Sequence, residues 1–288
     1  MDLDADGHLD VLSGSYSRMD RDMAGLFQVL RGSKEGLLKA TPLHGSDGAL
    51  LLMPQSDRAD KDLDRICTRP FACDLDGDGK LDLVAGNFGG TFAWFRGEGD
   101  GKFAPAATWL EAGGELMRVD MHSDPFLIDF DGDGDLDLLS GSAAGGVFLF
   151  ANTGSKTAPK FAGKGTLVAA AEQEHGPDAP IRFGDGHLQG PGADSRVWVA
   201  DVDGDGKLDL LVGDQQRLTF PLAGIDEAAA REQLVAWNKE QQKLFATPQG
   251  EDEASQQKWQ QAYEKLEAAR AKIVRDESTG FVWLLRQR

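Results

Sequence analysis

The sequence predicts a mainly β protein: about four β-propeller blades, incompletely closed, with an α-helical hairpin inserted into the last. Three observations predict it. An aspartate-rich nonapeptide recurs four times, short apolar runs flank it, and the composition turns glycine-poor after Leu222. At 288 residues the chain is long enough to bury a core in one or two domains. Its 48 acidic against 30 basic residues give a formal net charge of −18. Such a charge repels phosphate backbones and anionic lipid heads, so nucleic acid and membrane surfaces are excluded as partners. No run is long and apolar enough to predict a membrane span, and two cysteines cannot build a disulfide scaffold or a four-Cys zinc site.

The nonapeptide has the form D-x-D-x-D-G-x-L-D. Its copies start at Asp2, Asp74, Asp129 and Asp201, at spacings of 72, 55 and 72 residues. They hold 17 of the 48 acidic residues, leaving the rest of the chain nearly balanced at 31 acidic against 28 basic. Like charges about 4 Å apart repel by roughly 4 kcal/mol at an effective dielectric near 20, so four carboxylates on a tight loop call for a cation. Oxygen-only ligands in this number specify a hard ion and favour Ca²⁺ over Mg²⁺, up to four ions in all. Positions 1, 3, 5 and 9 would offer carboxylates, the last with both oxygens. These are Asp2, Asp4, Asp6 and Asp10; Asp74, Asp76, Asp78 and Asp82; Asp129, Asp131, Asp133 and Asp137; and Asp201, Asp203, Asp205 and Asp209. Position 7 would offer only its main-chain carbonyl, which is why its side chain varies freely: His8, Lys80, Asp135 and Lys207. Position 6 is always glycine because the turn there demands φ > 0. Ala5 replaces the glycine found at position 4 of the other loops, so the first loop is expected to bind least well.

An EF-hand needs glutamate at position 12 and flanking helices. Here position 12 is Ser13, Ala85, Ser140 or Val212, and β-type runs follow the loops, each ending at Gly14, Gly86, Gly141 or Gly213. Apolar residues precede the last three loops. The unit is strand, metal loop, strand. A further apolar segment follows each hairpin (Leu26–Leu30, Thr91–Phe95, Val147–Phe150 and, much later, Phe281–Leu285), and fourth strands are expected near Lys102–Trp109 and Lys160–Val168. Four strands per repeat of 50 to 70 residues is the pattern of propeller blades.

These loops and strands resemble FG-GAP/VCBS repeats, the calcium-binding blades of integrin-α-type propellers, over roughly residues 1–222 and 278–288. The layout is similar to bacterial VCBS-repeat proteins of unassigned activity. The Phe-Gly signature is represented only by Asn87-Phe88-Gly89-Gly90. By the family pattern the position 1, 3, 5 and 9 aspartates named above would be the ligands.

Three segments follow: blades over 1–222, a helical insertion over 223–277 and a returning strand over 278–288. In the insertion, Ala230, Leu234, Trp237, Leu244 and Phe245 keep helical spacing, as do Trp259, Ala262, Tyr263, Leu266, Ala269 and Ile273. Residues 247–252 stop one helix and start the next. The aromatic stripes are expected to pack helix on helix. Met1 abuts the first loop and little chain follows Leu285, so open sheet edges are expected, as in part of a larger propeller or a chain that associates through its edges.

The expected function is a non-catalytic, calcium-stabilised binding or adhesion module for a protein or glycan. Loops of this kind hold calcium at roughly 10⁻⁴–10⁻³ M, which implies an extracytoplasmic home, although no signal peptide is visible. The alternatives are a propeller-based polysaccharide lyase or hydrolase, and a scaffold that recruits protein through its helical hairpin. His122-Ser123-Asp124 is expected to be a loop rather than a triad; Arg118, His122 and His187 matter for catalysis only if they converge. Pairing of Cys67 with Cys73 and their separate burial stand open, and most of the six tryptophans are expected in the core.

Overall fold

The computed structural model describes residues 1–16, 23–171, 179–249 and 252–287. They divide into two compact units, one drawn from Met1–Ala171, Pro191–Asp214 and Phe281–Arg288, the other from Glu172–Gly190 and Gln215–Gly280.

The first unit is a succession of antiparallel sheets. The first sheet holds β1 (Val11–Gly14), β2 (Phe27–Leu30) and β3 (Thr41–Pro42). The second runs in the order β4 (Arg69–Cys73), β5 (Asp82–Gly86), β6 (Phe92–Phe95) and β9 (Thr108–Trp109). Two small ribbons lie beside it: β7 (Gly97–Gly99) with β8 (Lys102–Phe103), and β10 (Glu111–Ala112) with β11 (Glu115–Leu116). The third sheet is β12 (Asp124–Ile128), β13 (Asp137–Gly141), β14 (Val147–Phe150) and β15 (Gly165–Val168). The fourth contains β16 (Ala193–Ala200), the start of β17 (Asp209–Pro221) and β19 (Val282–Leu285). The expected fourth strands of the two middle repeats are β9 and β15.

The strand pairs that flank the second and third aspartate loops are in register across them, Cys73 opposite Asp82 and Ile128 opposite Asp137. The strands after the second and third loops, β5 and β13, are buried on both faces, which explains their apolar runs. Three apolar clusters fill the spaces between consecutive sheets. Phe27, Val29, Leu83 and Phe95 join the first to the second. Val84, Phe92, Leu138 and Phe150 join the second to the third, and Phe126, Leu139, Val197 and Val212 join the third to the fourth. Fully burying a side chain such as Phe27 or Phe92 contributes about 2 kcal/mol. Among the described residues no apolar cluster joins the fourth sheet to the first.

A polar latch, not visible in the periodicity, repeats at the same junctions. Ser15 and Thr68, Asn87 and Ser123, and Ser142 and Ser195 form three pairs. In each, the backbone N–H of the second residue donates to the carbonyl of the first, each at 3.0 Å. The N–H of the first donates to the hydroxyl of the second at 2.8, 2.8 and 3.0 Å. The glycine before each latch is a matter of space. A Cβ on Gly14, Gly86 or Gly141 would stand 1.7, 2.3 or 2.0 Å from the carbonyl oxygen of Thr68, Ser123 or Ser195. At Gly213 the nearest atom would be Arg196 Cβ, 3.9 Å away.

Of the tryptophans only Trp94 is buried; Trp198 is 61% exposed, a correction to the expected core placement. It ends a row of rings across the inner strands, with Phe71–Phe126 centroids 5.3 Å apart and Phe126–Trp198 5.0 Å apart. Cys67 and Cys73 are free thiols, the first buried.

In the second unit the far part of β17 pairs with β18 (Val274–Thr279), from Gln216 opposite Thr279 to Pro221 opposite Val274. This ribbon carries helices α1 (Glu227–Phe245) and α2 (Glu253–Arg270), so 274–277 are strand rather than part of a helix. Asp226 and Asp252 cap the helices by accepting from the N–H groups of Ala229 and Ser255. Between the helices, Gly250 and Glu251 of the expected stop lie outside the described residues. The aromatic stripe packs helix on helix: Phe245 lies 5.7 Å from Trp259, which stacks on Tyr263 of its own helix at 5.5 Å, and Trp237 Nε1 donates to the Leu266 carbonyl at 2.7 Å. Ala230, Leu234, Ile273 and Val274 form a small core with Ile181, Phe183 and Ile225.

Candidate metal centres

All four aspartate loops adopt one conformation, set by their own backbone. The position-1 carboxylate accepts from the N–H of the position-6 glycine at 2.9 Å in the first loop (Asp2, Gly7) and 3.0 Å in the others (Asp74 with Gly79, Asp129 with Gly134, Asp201 with Gly206). The position-5 carboxylate accepts from the N–H at position 7: His8 to Asp6 at 2.8 Å, Lys80 to Asp78 at 2.9 Å, Asp135 to Asp133 at 3.1 Å and Lys207 to Asp205 at 2.9 Å. Positions 4 and 6 both have positive φ. Glycine meets this at no steric cost, but Ala5 sits at φ 59°.

This folding gathers carboxylate oxygens. One oxygen each from Asp2, Asp4 and Asp6 lies within 4.8 Å of the others, and likewise for Asp74, Asp76 and Asp78, and for Asp129, Asp131 and Asp133. In the fourth loop the converging trio is Asp201, Asp203 and Asp209. Two charges at that separation repel by about 3.5 kcal/mol at an effective dielectric near 20.

Position 9 has a further duty that the spacing does not reveal. In each loop it is a buried clasp between the loop and the next strand. Its Oδ2 accepts from the position-2 N–H (Leu3, Leu75, Phe130, Val202) at 2.9 to 3.2 Å. Its Oδ1 accepts from Gly32, Gly97, Asn152 or Gln287 N–H at 2.6 to 3.0 Å. Burial pushes Asp82 and Asp137 above the ordinary carboxylate range despite these donors. Asp10 is also pushed up by burial, but the N–H groups of Gly32 and Leu3 and the Arg31 guanidinium outweigh it and hold it low.

Basic side chains offset part of the charge. Arg31 reaches Asp4 at 3.0 Å and Asp10 at 3.2 Å, Arg96 pairs with Asp76, Lys80 reaches Asp78 at 3.0 Å and Arg286 reaches Asp203 at 3.4 Å. His8 and Lys207, also at position 7, lean on Asp6 at 3.2 Å and Asp205 at 3.8 Å. Among the described residues no Lys or Arg pairs with the third loop. There Asp135 at position 7 adds a fifth carboxylate, pushed up by burial and by Asp133 and Asp137.

The donor set suits a hard divalent cation on one further observation. Asp4 Oδ1, Asp74 Oδ1, Asp76 Oδ1 and Asp135 Oδ1 are buried with no hydrogen-bond partner. Unpaired buried carboxylate oxygens are costly unless a cation meets them.

A family profile described as an FG-GAP-like repeat matches residues 74–140 and again 129–212. Residues 74–212 are thus similar to FG-GAP-like repeats. The matched FG-GAP-like repeats contain the second, third and fourth loops, while the first loop, at 2–10, shares their geometry outside the match. No curated protein matches the chain.

The other candidate residues do not form a hydrolytic triad. Ser123 Oγ donates to the Asn87 and Thr91 carbonyls as part of a latch, Asp124 faces Arg69 and Arg196, and His122 pairs with Asp194 at 2.9 Å. Arg118 turns instead to Asp60 at 3.5 Å, and His187 belongs to the other unit. No described helix is long and apolar enough to cross a membrane.

Proposed function

We propose that this chain is a calcium-stabilised, propeller-type binding or adhesion module with a non-catalytic role, displayed outside the cytoplasm to a protein or glycan. The observation that carries the reading is the fourfold convergence of carboxylate oxygens on preformed loops, with buried unpaired oxygens among them. Calcium fits this all-oxygen set: positions 1, 3 and 5, the position-7 carbonyl and, in the fourth loop, Asp209 would hold it. The antiparallel sheets following one another along the chain, with β12 in contact with both β4 and β16, support blades of a propeller.

The ion's part is structural. The second, third and fourth loops each lie between two neighbouring strands, so an ion bound only to the folded form stabilises the hairpin by RT ln(1 + [Ca²⁺]/Kd), about 2.7 kcal/mol per site at a hundredfold excess over Kd. The extracytoplasmic assignment follows from the low affinity of such loops.

Metal counting together with thermal unfolding in calcium and in chelator tests the reading. About four ions and a Tm that falls steeply on chelation are expected. A melt insensitive to chelator would overturn it.

A further inference from the structure

Equivalent tripeptides lie at the starts of β4, β12 and β16: Cys67-Thr68-Arg69, His122-Ser123-Asp124 and Asp194-Ser195-Arg196. The latch residue is central in each, and the first residue has positive φ, 55°, 58° and 50°. The repeat therefore brings six side chains of four kinds to one end of three neighbouring strands. Asp124 lies between two guanidinium groups, 3.3 Å from Arg196 Nε and 3.9 Å from Arg69 Nη1. Arg69 Nη2 donates to Cys67 Sγ at 3.3 Å. His122, its ring centroid 4.4 Å from that of Phe88, directs Nδ1 to Asp194 at 2.9 Å.

Two atoms in this group are left without a hydrogen bond. Arg69 Nη1 and His122 Nε2 are both buried and unbonded. A guanidinium N–H requires an acceptor, and a charged one is best. With Nδ1 engaged by the Asp194 carboxylate, Nε2 is left to meet a hydroxyl group. Burial, and then the nearby Arg69, depress the Arg196 guanidinium, so the two cations are held close together with one carboxylate between them.

We infer that the starts of these three strands form a binding site for a hydroxycarboxylate, its carboxylate on Arg69 and its hydroxyl on His122. The chemistry is that of a uronic acid residue or of a small free hydroxy acid. This deepens the binding-module reading and rests on it, but it uses none of the loop aspartates.

The test is titration of the calcium-loaded chain with glucuronate, lactate and glucose, read by calorimetry and by the His122 ring signals in NMR, with calcium counted in the same samples. Glucuronate is expected to bind saturably with a Kd of about 1 mM or tighter, to shift the His122 signals, and to outcompete glucose. Arg69→Gln should weaken it about tenfold or more with the calcium count unchanged. Lactate binding as well as glucuronate assigns the site to small hydroxy acids, and glucuronate alone to acidic sugars; both support the inference. If Arg69→Gln does not fold, His122→Phe, which keeps a ring against Phe88, must lose the preference for glucuronate over acetate. No saturable binding by the wild type, equal binding of glucose, or an unaffected Arg69→Gln overturns the inference. Loss of calcium without loss of glucuronate binding would overturn the calcium reading alone.

Discussion

Gly141→Ala isolates the latch from every other feature of the sheets. The added Cβ would stand 2.0 Å from the Ser195 carbonyl oxygen, 2.5 Å from its carbon and 2.8 Å from its Oγ. Two of those atoms are backbone, so no rotamer relieves the contact, and the third and fourth sheets must part at this point. Parting them breaks the reciprocal pair between Ser142 and Ser195 and the bond from Ser195 Oγ to the Gly146 carbonyl. These groups are buried, so about 1 kcal/mol for each of three hydrogen bonds gives about 3 kcal/mol. At roughly 2–4 °C per kcal/mol for a protein of this size, Tm falls by about 6–12 °C. Gly213→Ala is the matched control, at the same place in its repeat with only Arg196 Cβ nearby at 3.9 Å. It should change stability by no more than about 0.5 kcal/mol. Urea and thermal unfolding in saturating calcium measure both variants. If they agreed within error, the close approach would not be what demands glycine, and the latch argument would fall.

Other perturbations have definite outcomes. Ala5→Gly relieves the left-handed conformation in the first loop and should tighten that site about fivefold, from roughly 1 kcal/mol of strain, read by calcium titration of the weakest site. Asp129→Asn should remove one ion from the count while the other loops keep theirs, because the loops share no carboxylate. In the helical unit, burial acts to raise Asp276, but Arg270, Arg217 and Thr219 bond to it and hold its carboxyl well below the ordinary range. Its contribution is therefore complete above the unfolded pKa near 3.9 and is lost as pH falls through the depressed folded value. Asp276→Asn should cost about 2 kcal/mol at neutral pH, and the gap from wild type should narrow in urea unfolding below about pH 4; a constant gap would count against the ion pair.

The sequence by itself determined the aspartate loops, the hairpins around them and the paired helices, because each is written over fewer than about twenty consecutive residues. A carboxylate at every second position with glycine at the sixth folds the same way wherever it occurs, which is why all four copies superpose in their hydrogen bonds. The glycine twelve residues after each first aspartate was legible as a repeat, but its purpose was not. That purpose depends on a carbonyl 54, 37 or 54 residues further on (Thr68, Ser123, Ser195). For the same reason the periodicity could not show position 9 to be a clasp, since its Oδ1 partner belongs to another strand. The tryptophans were expected mostly in the core, yet only Trp94 is buried, because alternation marks which face a residue takes, not whether another sheet covers that face. Only the tertiary structure set Arg69, Asp124, Arg196 and the His122–Asp194 pair side by side: the last two are 72 residues apart, and what unites them is the stacking of sheets, a long-range packing that no local spacing encodes.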